Sequence, residues 1–264
     1  MHKNIKEYKK MEDFKFSTLE YTRPDCEGFA AFAAETKERI EKAGSYAQAR
    51  EAMLAYDERG KDFSTACTIV HVRHTLDTTD AFYEKENEYI ENTYPTLMPS
   101  FLAVDEALMN SPFRADFEKE YGKQFFVRMD LSKKKFCEAN IPLMQREAKL
   151  CNEYQKIMAT AKIPFDGKEL NLYGVQKYFE HEDREVRKGA VRAYSEFYHK
   201  NEPRLEEIWD ELIRIRNEMG RNLGYENYIP VAYMEQGRTD YGQKEVESFR
   251  EQVHTVLVPL CQKL

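Results

Sequence analysis

The residues with the clearest capacity for chemistry in this chain are its six histidines. A hydrolytic zinc site of the H-E-x-x-H type needs two histidines four residues apart on a helix, with a glutamate directly after the first. That spacing presents both rings to the metal and the glutamate to its bound water. No two histidines of the sequence are arranged in this way. We therefore predict neither metal ligands nor catalytic residues of this type in the chain.

His71, His74 and Asp77 form the nearest alternative set of metal ligands. On a helix these three side chains can come within reach of one ion. His74, however, falls on an apolar helical stripe, which indicates a histidine hydrogen-bonded in the core or at the surface. We favour this structural role, and the metal site stays open as an alternative.

His181 is followed by Glu182, but no second histidine completes a metal-binding motif. Acidic side chains at a helix N-terminus interact favourably with the helix dipole. We interpret the segment as the acidic start of a helix, in which Asp183, Arg184 and Arg187 form a structural salt-bridge network.

A group rich in tyrosine lies in and beyond the loop that begins near residue 223. Tyrosine combines an apolar ring with a hydrogen-bonding tip, which suits the lining of a binding channel. The alternative is ordinary loop packing, with Asp240 as the N-cap of a following helix. The candidate channel residues are Tyr225, Tyr228, Tyr233, Arg238 and Tyr241.

Apolar residues recur every three to four positions along most of the chain, which predicts an all-α fold of antiparallel helical hairpins. Gly44, Gly60 and Gly122 are predicted to end helices. The pattern slips before Asp80, where we expect a kink or a new N-cap. Pro95 and Pro99 indicate a break or a first helical turn.

Further boundaries follow from capping residues and prolines. Asn201-Glu202-Pro203 predicts that one helix stops and another begins, so that residues 183–223 form a helical hairpin. The last helix is expected to start at Asp240 and to kink at Pro259. Asp166-Gly167 predicts the turn of a small β-hairpin within residues 162–172. We divide the chain into a polar segment (1–20), a helical subdomain (21–161) and a segment containing both hairpins (162–264).

Composition excludes several classes of function. A formal net charge of -7 argues against a nucleic-acid-binding protein and against a general role on anionic membranes. The five cysteines form no C-x-x-C pair. They are interpreted as small apolar residues in a reducing compartment. The N-terminus has no apolar signal-peptide core, and no apolar run is long enough to span a membrane, so we expect a cytoplasmic protein.

An ordered set of motifs resembles one protein family. It comprises Arg73-His74-Thr75-Leu76-Asp77-Thr78-Thr79-Asp80, the Asp183-Arg184-x-x-Arg187-x-x-Ala190 pattern, Leu223-Gly224-Tyr225-x-Asn227-Tyr228, and Gly237-Arg238-Thr239-Asp240-Tyr241. From about Phe14 to Leu264, the chain is similar to the N-terminal half of the oligoendopeptidase F group of thimet-oligopeptidase-like zinc metallopeptidases. It departs from the intact family pattern in lacking H-E-x-x-H.

The resemblance implies half of a channel-type metallopeptidase fold whose substrates are short unstructured peptides. It implies that zinc and its ligands belong to a missing C-terminal catalytic half, which is then the main partner of this chain. Alone, the chain is expected to bind no zinc and cleave nothing. The final helix, which lacks an end signal, is expected to expose apolar surface that can also support self-association. The alternative is a non-enzymatic helical interaction module or a truncated paralogue.

Overall fold

The computed structural model describes residues 15–263, in which helices follow one another along most of the chain. The part of the predicted polar segment before Lys15, with Phe14, lies outside the described residues. Short 3-10 turns at Phe16–Thr18, Glu138–Asn140 and Lys177–Glu180 accompany the main elements. The elements are α1 (Cys26–Glu41), α2 (Tyr46–Leu76), α3 (Ala81–Met109), α4 (Arg114–Tyr121), α5 (Lys123–Lys134), α6 (Ile141–Ala159), β1 (Ile163–Phe165), β2 (Lys168–Leu170), α7 (Leu172–Gln176), α8 (Arg184–Asn222), α9 (Ile229–Glu235), α10 (Gln243–Gln252) and α11 (Val258–Lys263). The all-α prediction with a small hairpin is confirmed.

The first core lies where α1 packs against α2 and α3, and α4 and α5 close its end. Ile40 and Phe117 are fully buried in it, since the apolar faces of the surrounding helices converge there. Asp25 caps α1, Ser45 caps α2 and Asp80 caps α3, each by accepting a hydrogen bond from a backbone N–H of the first turn. The expected new N-cap at Asp80 is therefore present.

A second core forms along the seam between α6 and α8. Leu150 of α6 packs against Ile208, Leu212, Ile215 and Met219 of α8. Arginine–glutamate pairs bridge the same two helices, namely Arg146–Glu211, Arg204–Glu153 and Arg216–Glu147. This seam joins the two predicted segments on either side of residue 161, and the division between them stays a prediction.

The β-hairpin packs on the N-terminal part of α8. Ile163 pairs with Leu170, and Asp166 and Gly167 adopt φ values of 52° and 68° in the turn. Positive φ at both central residues is the conformation for which Asp-Gly is favoured in a two-residue hairpin. The third, smaller core lies beneath the hairpin and consists of the buried residues Ile163, Val175 and Ala190.

Two of the predicted helix ends are wrong. Gly60 lies inside α2, because buried residues on both sides, such as Met53 and Ile69, pack the helix against its neighbours. Pro95 and Pro99 lie inside α3. Pro95 and Leu97 are buried, and Gln145 donates a hydrogen bond to the nearby Asn92 carbonyl, so packing holds the helix together although two backbone bonds are lost.

The predicted hairpin over residues 183–223 is also wrong, because α8 is one helix of 39 residues with Pro203 inside it. Proline removes a single backbone donor at this point. The Asn201 amide donates to the Phe197 carbonyl at 2.7 Å, and apolar residues pack on both sides of the proline. Continuous burial thus outweighs the local signal to stop.

The last helical stretch begins after Gly242, not at Asp240. The Asp240 carboxylate accepts a hydrogen bond from the Thr239 hydroxyl, whereas the Gly242 N–H donates to the Glu245 carboxylate at 2.8 Å. A π-helical turn, Val253–Leu257, joins α10 to α11 and ends two residues before Pro259. Within residues 15–263, no helix combines the length and the apolar composition that a membrane crossing requires.

Candidate functional site

Two depressions are lined by residues of both α6 and α8. The first, which we call the inner cavity, has a volume of about 550 Å³ and lies between α3, α6, α8 and α9. Its apolar walls include Tyr94, Met98, Met144 and Met219. A cavity of this size, apolar with few polar groups, is typical of small-molecule and peptide side-chain sites.

Three of the four charged side chains that line the inner cavity are acidic, namely Glu91, Glu147 and Glu235. Burial raises the pKa of Glu91, whose carboxylate accepts a hydrogen bond from the Asn87 amide at 2.6 Å. The Tyr228 hydroxyl donates to Glu235 at 2.7 Å. Burial and, after it, this carboxylate raise the pKa of Tyr228, so that the phenol stays protonated. The cavity can therefore hold an apolar group and still offer hydrogen-bond acceptors.

The second depression, which we call the outer groove, has a volume of about 980 Å³ and continues along α8. Tyr154 of α6 and Tyr198 and Trp209 of α8 supply its aromatic walls, while Ile208 and Leu212 lie at its floor. Three acidic side chains, Glu202, Glu206 and Asp210, follow its rim.

One ion pair separates the two depressions. Arg216 lines the outer groove and Glu147 lines the inner cavity. The Arg216 Nε atom donates to the Glu147 carboxylate at 2.7 Å. This ion pair across the α6–α8 seam thus links the lining of one depression to the lining of the other.

The structure brings one of the predicted channel residues, Tyr228, to the inner cavity. Arg238 instead lies over the rings of Tyr233 and Tyr241, at 4.5 Å and 5.6 Å from their centroids. Tyr225 is half-buried, and its backbone N–H donates to the Gly220 carbonyl behind the end of α8. A role of all five residues in one channel stays a prediction.

Trp209, Tyr198 and Tyr154 were absent from the residues predicted from sequence. Tyr198, Glu202, Glu206, Trp209 and Ile213 follow one another at steps of four, four, three and four, so they share a face of α8. That helical spacing is the sequence signal for the α8 side of the groove, and the structure shows that Trp209 on this face is 65% exposed. The contribution of Tyr154 depends on the packing of α6 against α8, which no local pattern specifies.

The alternative metal ligands are directed to other partners. His74 is buried, and its Nε2 atom lies 2.7 Å from a carboxylate oxygen of Glu84, which also binds Lys156. The Asp77 carboxylate accepts hydrogen bonds from the backbone and hydroxyl of Thr79. Among residues 15–263, no three His, Cys, Asp or Glu side chains are placed to hold a metal ion. The described residues therefore do not fit a zinc centre.

The predicted salt-bridge network at the start of α8 does not form among the described residues. The Asp183 carboxylate accepts a hydrogen bond from the Glu185 N–H at 2.8 Å and so caps the helix. Arg187 donates to the backbone carbonyls of His181 and Glu182. The Arg187 guanidinium thus donates to carbonyls of the preceding loop, and it forms no ion pair with a carboxylate among residues 15–263.

Comparisons with known proteins point to one family. Residues 16–136 match the family model described as the Peptidase M3 N-terminal domain. A crystal structure of a protein described as an oligoendopeptidase F has 38% sequence identity and a TM-score of 0.91, with 95% of this chain and 44% of that chain covered.

Two further solved structures agree with this match. PZ peptidase A, solved with an inhibitor, has 35% identity and a TM-score of 0.90 over 93% of this chain and 44% of its own. A protein from Bacillus anthracis described as an oligoendopeptidase F has 31% identity and a TM-score of 0.91, with 94% of this chain and 46% of that chain covered. The chain thus spans less than half the length of these proteins. Comparison with curated protein sequences finds no match.

Proposed function

Because this chain belongs to the M3 peptidases of the oligoendopeptidase F group, with the sequence and fold of their N-terminal half, we propose that it is part of a zinc-dependent oligoendopeptidase. The observation that carries the proposal is the match of fold and sequence over 95% of the chain at 38% identity. The substrates would be short, unstructured peptides. The site of action would be the cytoplasm, where a reducing environment keeps thiols such as its five free cysteines unpaired.

In this proposal, the chain supplies one wall of the peptide channel. The inner cavity and the outer groove support that role, because together they offer apolar, aromatic and acidic surface along one seam. Tyr228 would contact the peptide directly, and Tyr225, Tyr233, Arg238 and Tyr241 would border the channel. A wall of rigid helices favours extended peptides over folded proteins, since only an extended chain can enter a confined cleft.

The zinc ion would be held outside this chain. The described residues do not fit a metal centre, and the sequence has no H-E-x-x-H motif. We therefore propose that the 264-residue chain is inactive by itself. The ligands and the chemistry would come from a C-terminal catalytic half, its principal partner.

The first test is the coding sequence beyond Leu264. We expect it to continue by about a domain's length and to encode H-E-x-x-H followed by a glutamate ligand. The longer protein should cleave an internally quenched peptide of about ten residues and lose this activity to a zinc chelator, while the 264-residue chain should cleave none. A longer protein without peptidase activity, or a chain active alone, would contradict the proposal.

The exposed aromatic groove favours a second candidate, a non-enzymatic interaction module. Trp209 and Tyr154 are 65% and 47% exposed, and aromatic residues are enriched where proteins bind partners. This candidate predicts a coding sequence without the zinc motif, together with peptide binding that leads to no cleavage. The same two measurements therefore separate the two candidates.

A further inference from the structure

The outer groove is an exposed aromatic surface rather than part of a core. Trp209 is 65% and Tyr154 47% exposed, although the floor residues Ile208 and Leu212 beneath them are buried. Tyr198 extends the same wall, and its hydroxyl lies 3.3 Å from that of Tyr194. Aromatic faces arranged around an open groove bind either apolar groups or cations, because the ring face carries partial negative charge.

The charges at the rim favour a cation. Glu206 and Asp210 line the groove, and neither forms an ion pair with any residue between 15 and 263. Glu202 has only His199 beside it, at 3.2 Å. Arg216 is the single arginine of the lining, and Glu147 neutralises it. The groove therefore combines ring faces with uncompensated negative charge.

The dimensions favour a peptide over a small amine. From Tyr198 to Arg216, α8 extends about 27 Å, which matches about eight residues of an extended chain. The inner cavity adjoins this stretch at Arg216 and offers an apolar site. Trp209 and Arg216 are about 10 Å apart along the helix, so about three peptide residues separate a cationic site from an apolar one.

From these observations we propose that the outer groove binds a cationic peptide segment, with a lysine or arginine side chain on Trp209 between Glu206 and Asp210. Arginine should bind better than lysine, since its planar guanidinium stacks on aromatic rings. The inference deepens the proposed function, on which it rests for the expectation that the ligand is a peptide. It names the class of peptide that this wall selects.

Trp209 makes the proposal directly measurable, because it is the only tryptophan of the chain. Its fluorescence reports the groove and no other site. The 264-residue chain is titrated with an eight-residue peptide that contains two arginines and a leucine three residues from one of them. Matched peptides replace both arginines with alanine or with glutamate. We expect a saturable change in Trp209 fluorescence with the arginine peptide. The alanine peptide should bind at least tenfold more weakly, and the glutamate peptide should cause no change in fluorescence.

Substitutions of acidic residues test whether the negative charge of the outer groove binds the peptide. Glu206→Gln combined with Asp210→Asn should weaken binding of the arginine peptide about three- to tenfold, the range expected for two exposed ion pairs. Raising the salt concentration from 50 to 500 mM should weaken binding in the parent protein more than in this variant. Glu182→Gln combined with Glu226→Gln removes the same charge from exposed positions outside the groove and should leave the affinity unchanged.

Several outcomes would overturn the proposal. They are equal binding of the arginine, alanine and glutamate peptides, equal loss of affinity in both double variants, and binding of spermidine as tight as that of the arginine peptide. A Trp209 signal that follows protein concentration rather than peptide would also overturn it, because a second copy of the chain would then cover the groove. None of these measurements requires zinc or cleavage, so failure here is distinct from failure of the peptidase assay.

Discussion

Asp105 is a carboxyl group whose pKa is strongly raised by its position in the fold. It lies half-buried on α3, near Tyr56 of α2, and burial raises its pKa from 3.8 to about 6. The folded protein therefore binds this proton more tightly than the unfolded chain does. Stability should fall as pH rises from about 4 through about 6, because the folded state must then hold a buried charge.

Asp105→Asn keeps the shape of the protonated carboxyl and removes this charge. We expect the variant to be more stable than the parent at pH 7, by on the order of 1–3 kcal/mol in the free energy of unfolding. At pH 4 the two proteins should have the same stability. Urea unfolding at both pH values measures the difference.

Asp57→Asn is the matched control, since Asp57 is exposed on the neighbouring helix. Its effect should stay within about 0.5 kcal/mol at either pH. A gain for Asp105→Asn that is independent of pH, or an equal gain for Asp57→Asn, would show that charge burial at Asp105 is not the cause.

At the scale of elements, Gly220 allows the loop after α8 to pack directly on the helix. A Cβ atom at this position would lie 2.4 Å from the backbone oxygen of Asn227, which cannot move aside as a flexible side chain can. Gly220→Ala should therefore destabilise the protein by about 1–3 kcal/mol, even though alanine is the better helix former. Urea unfolding tests this, and a shift in Tyr228 packing should accompany it.

Gly60 provides the opposite case within α2. No atom lies within 4 Å of the position that its Cβ would occupy, so Gly60→Ala should stabilise the protein by about 0.5–1 kcal/mol. If both glycine variants change stability in the same direction, close packing of the loop on α8 does not determine the effect at Gly220.

These glycines illustrate what could be predicted from sequence. The helical faces were predictable, because each depends on the spacing of apolar residues within one element. Helix ends at Gly60 and before Pro203 were predicted wrongly, because each local signal costs only about 1–3 kcal/mol. The free energy gained by burying apolar residues on both sides of Gly60 and Pro203 exceeds that cost. Capping by Gly242 instead of Asp240 likewise depends on where the helix packs.

The candidate site, too, could be predicted only in part from the sequence. Tyr228 was identifiable because it belongs to a local motif that resembles a family. The outer groove was not identifiable from sequence, because Tyr154 and Trp209 are 55 positions apart and come together only where α6 packs against α8. The position of His74 on an apolar stripe indicated a hydrogen-bonded residue in the core or at the surface. The structure places it in the core, and its partner Glu84 lies on another helix.

At the scale of the whole molecule, the last helical stretch exposes an apolar face. Phe249, Val256 and Leu260 are 64%, 71% and 55% exposed, and none of the described residues from 243 to 263 is buried. The π-helical turn changes the helical phase between Phe249 and Val256, so these residues are assigned to the apolar surface by their exposure. An apolar face of this kind on an isolated chain favours association with another surface.

We expect the 264-residue chain to associate with a second copy of itself through this face at micromolar concentrations or above. Val256→Lys combined with Leu260→Lys should weaken association by more than tenfold, because each buried aliphatic side chain contributes about 1.5–3 kcal/mol. Val191→Lys changes an exposed aliphatic residue on α8 and should leave association unaffected. Sedimentation velocity over a hundredfold range of concentration distinguishes these cases. A chain that remains monomeric throughout would show that this face does not drive association, and equal effects of the two sets of lysines would indicate that added charge, rather than loss of this face, prevents it.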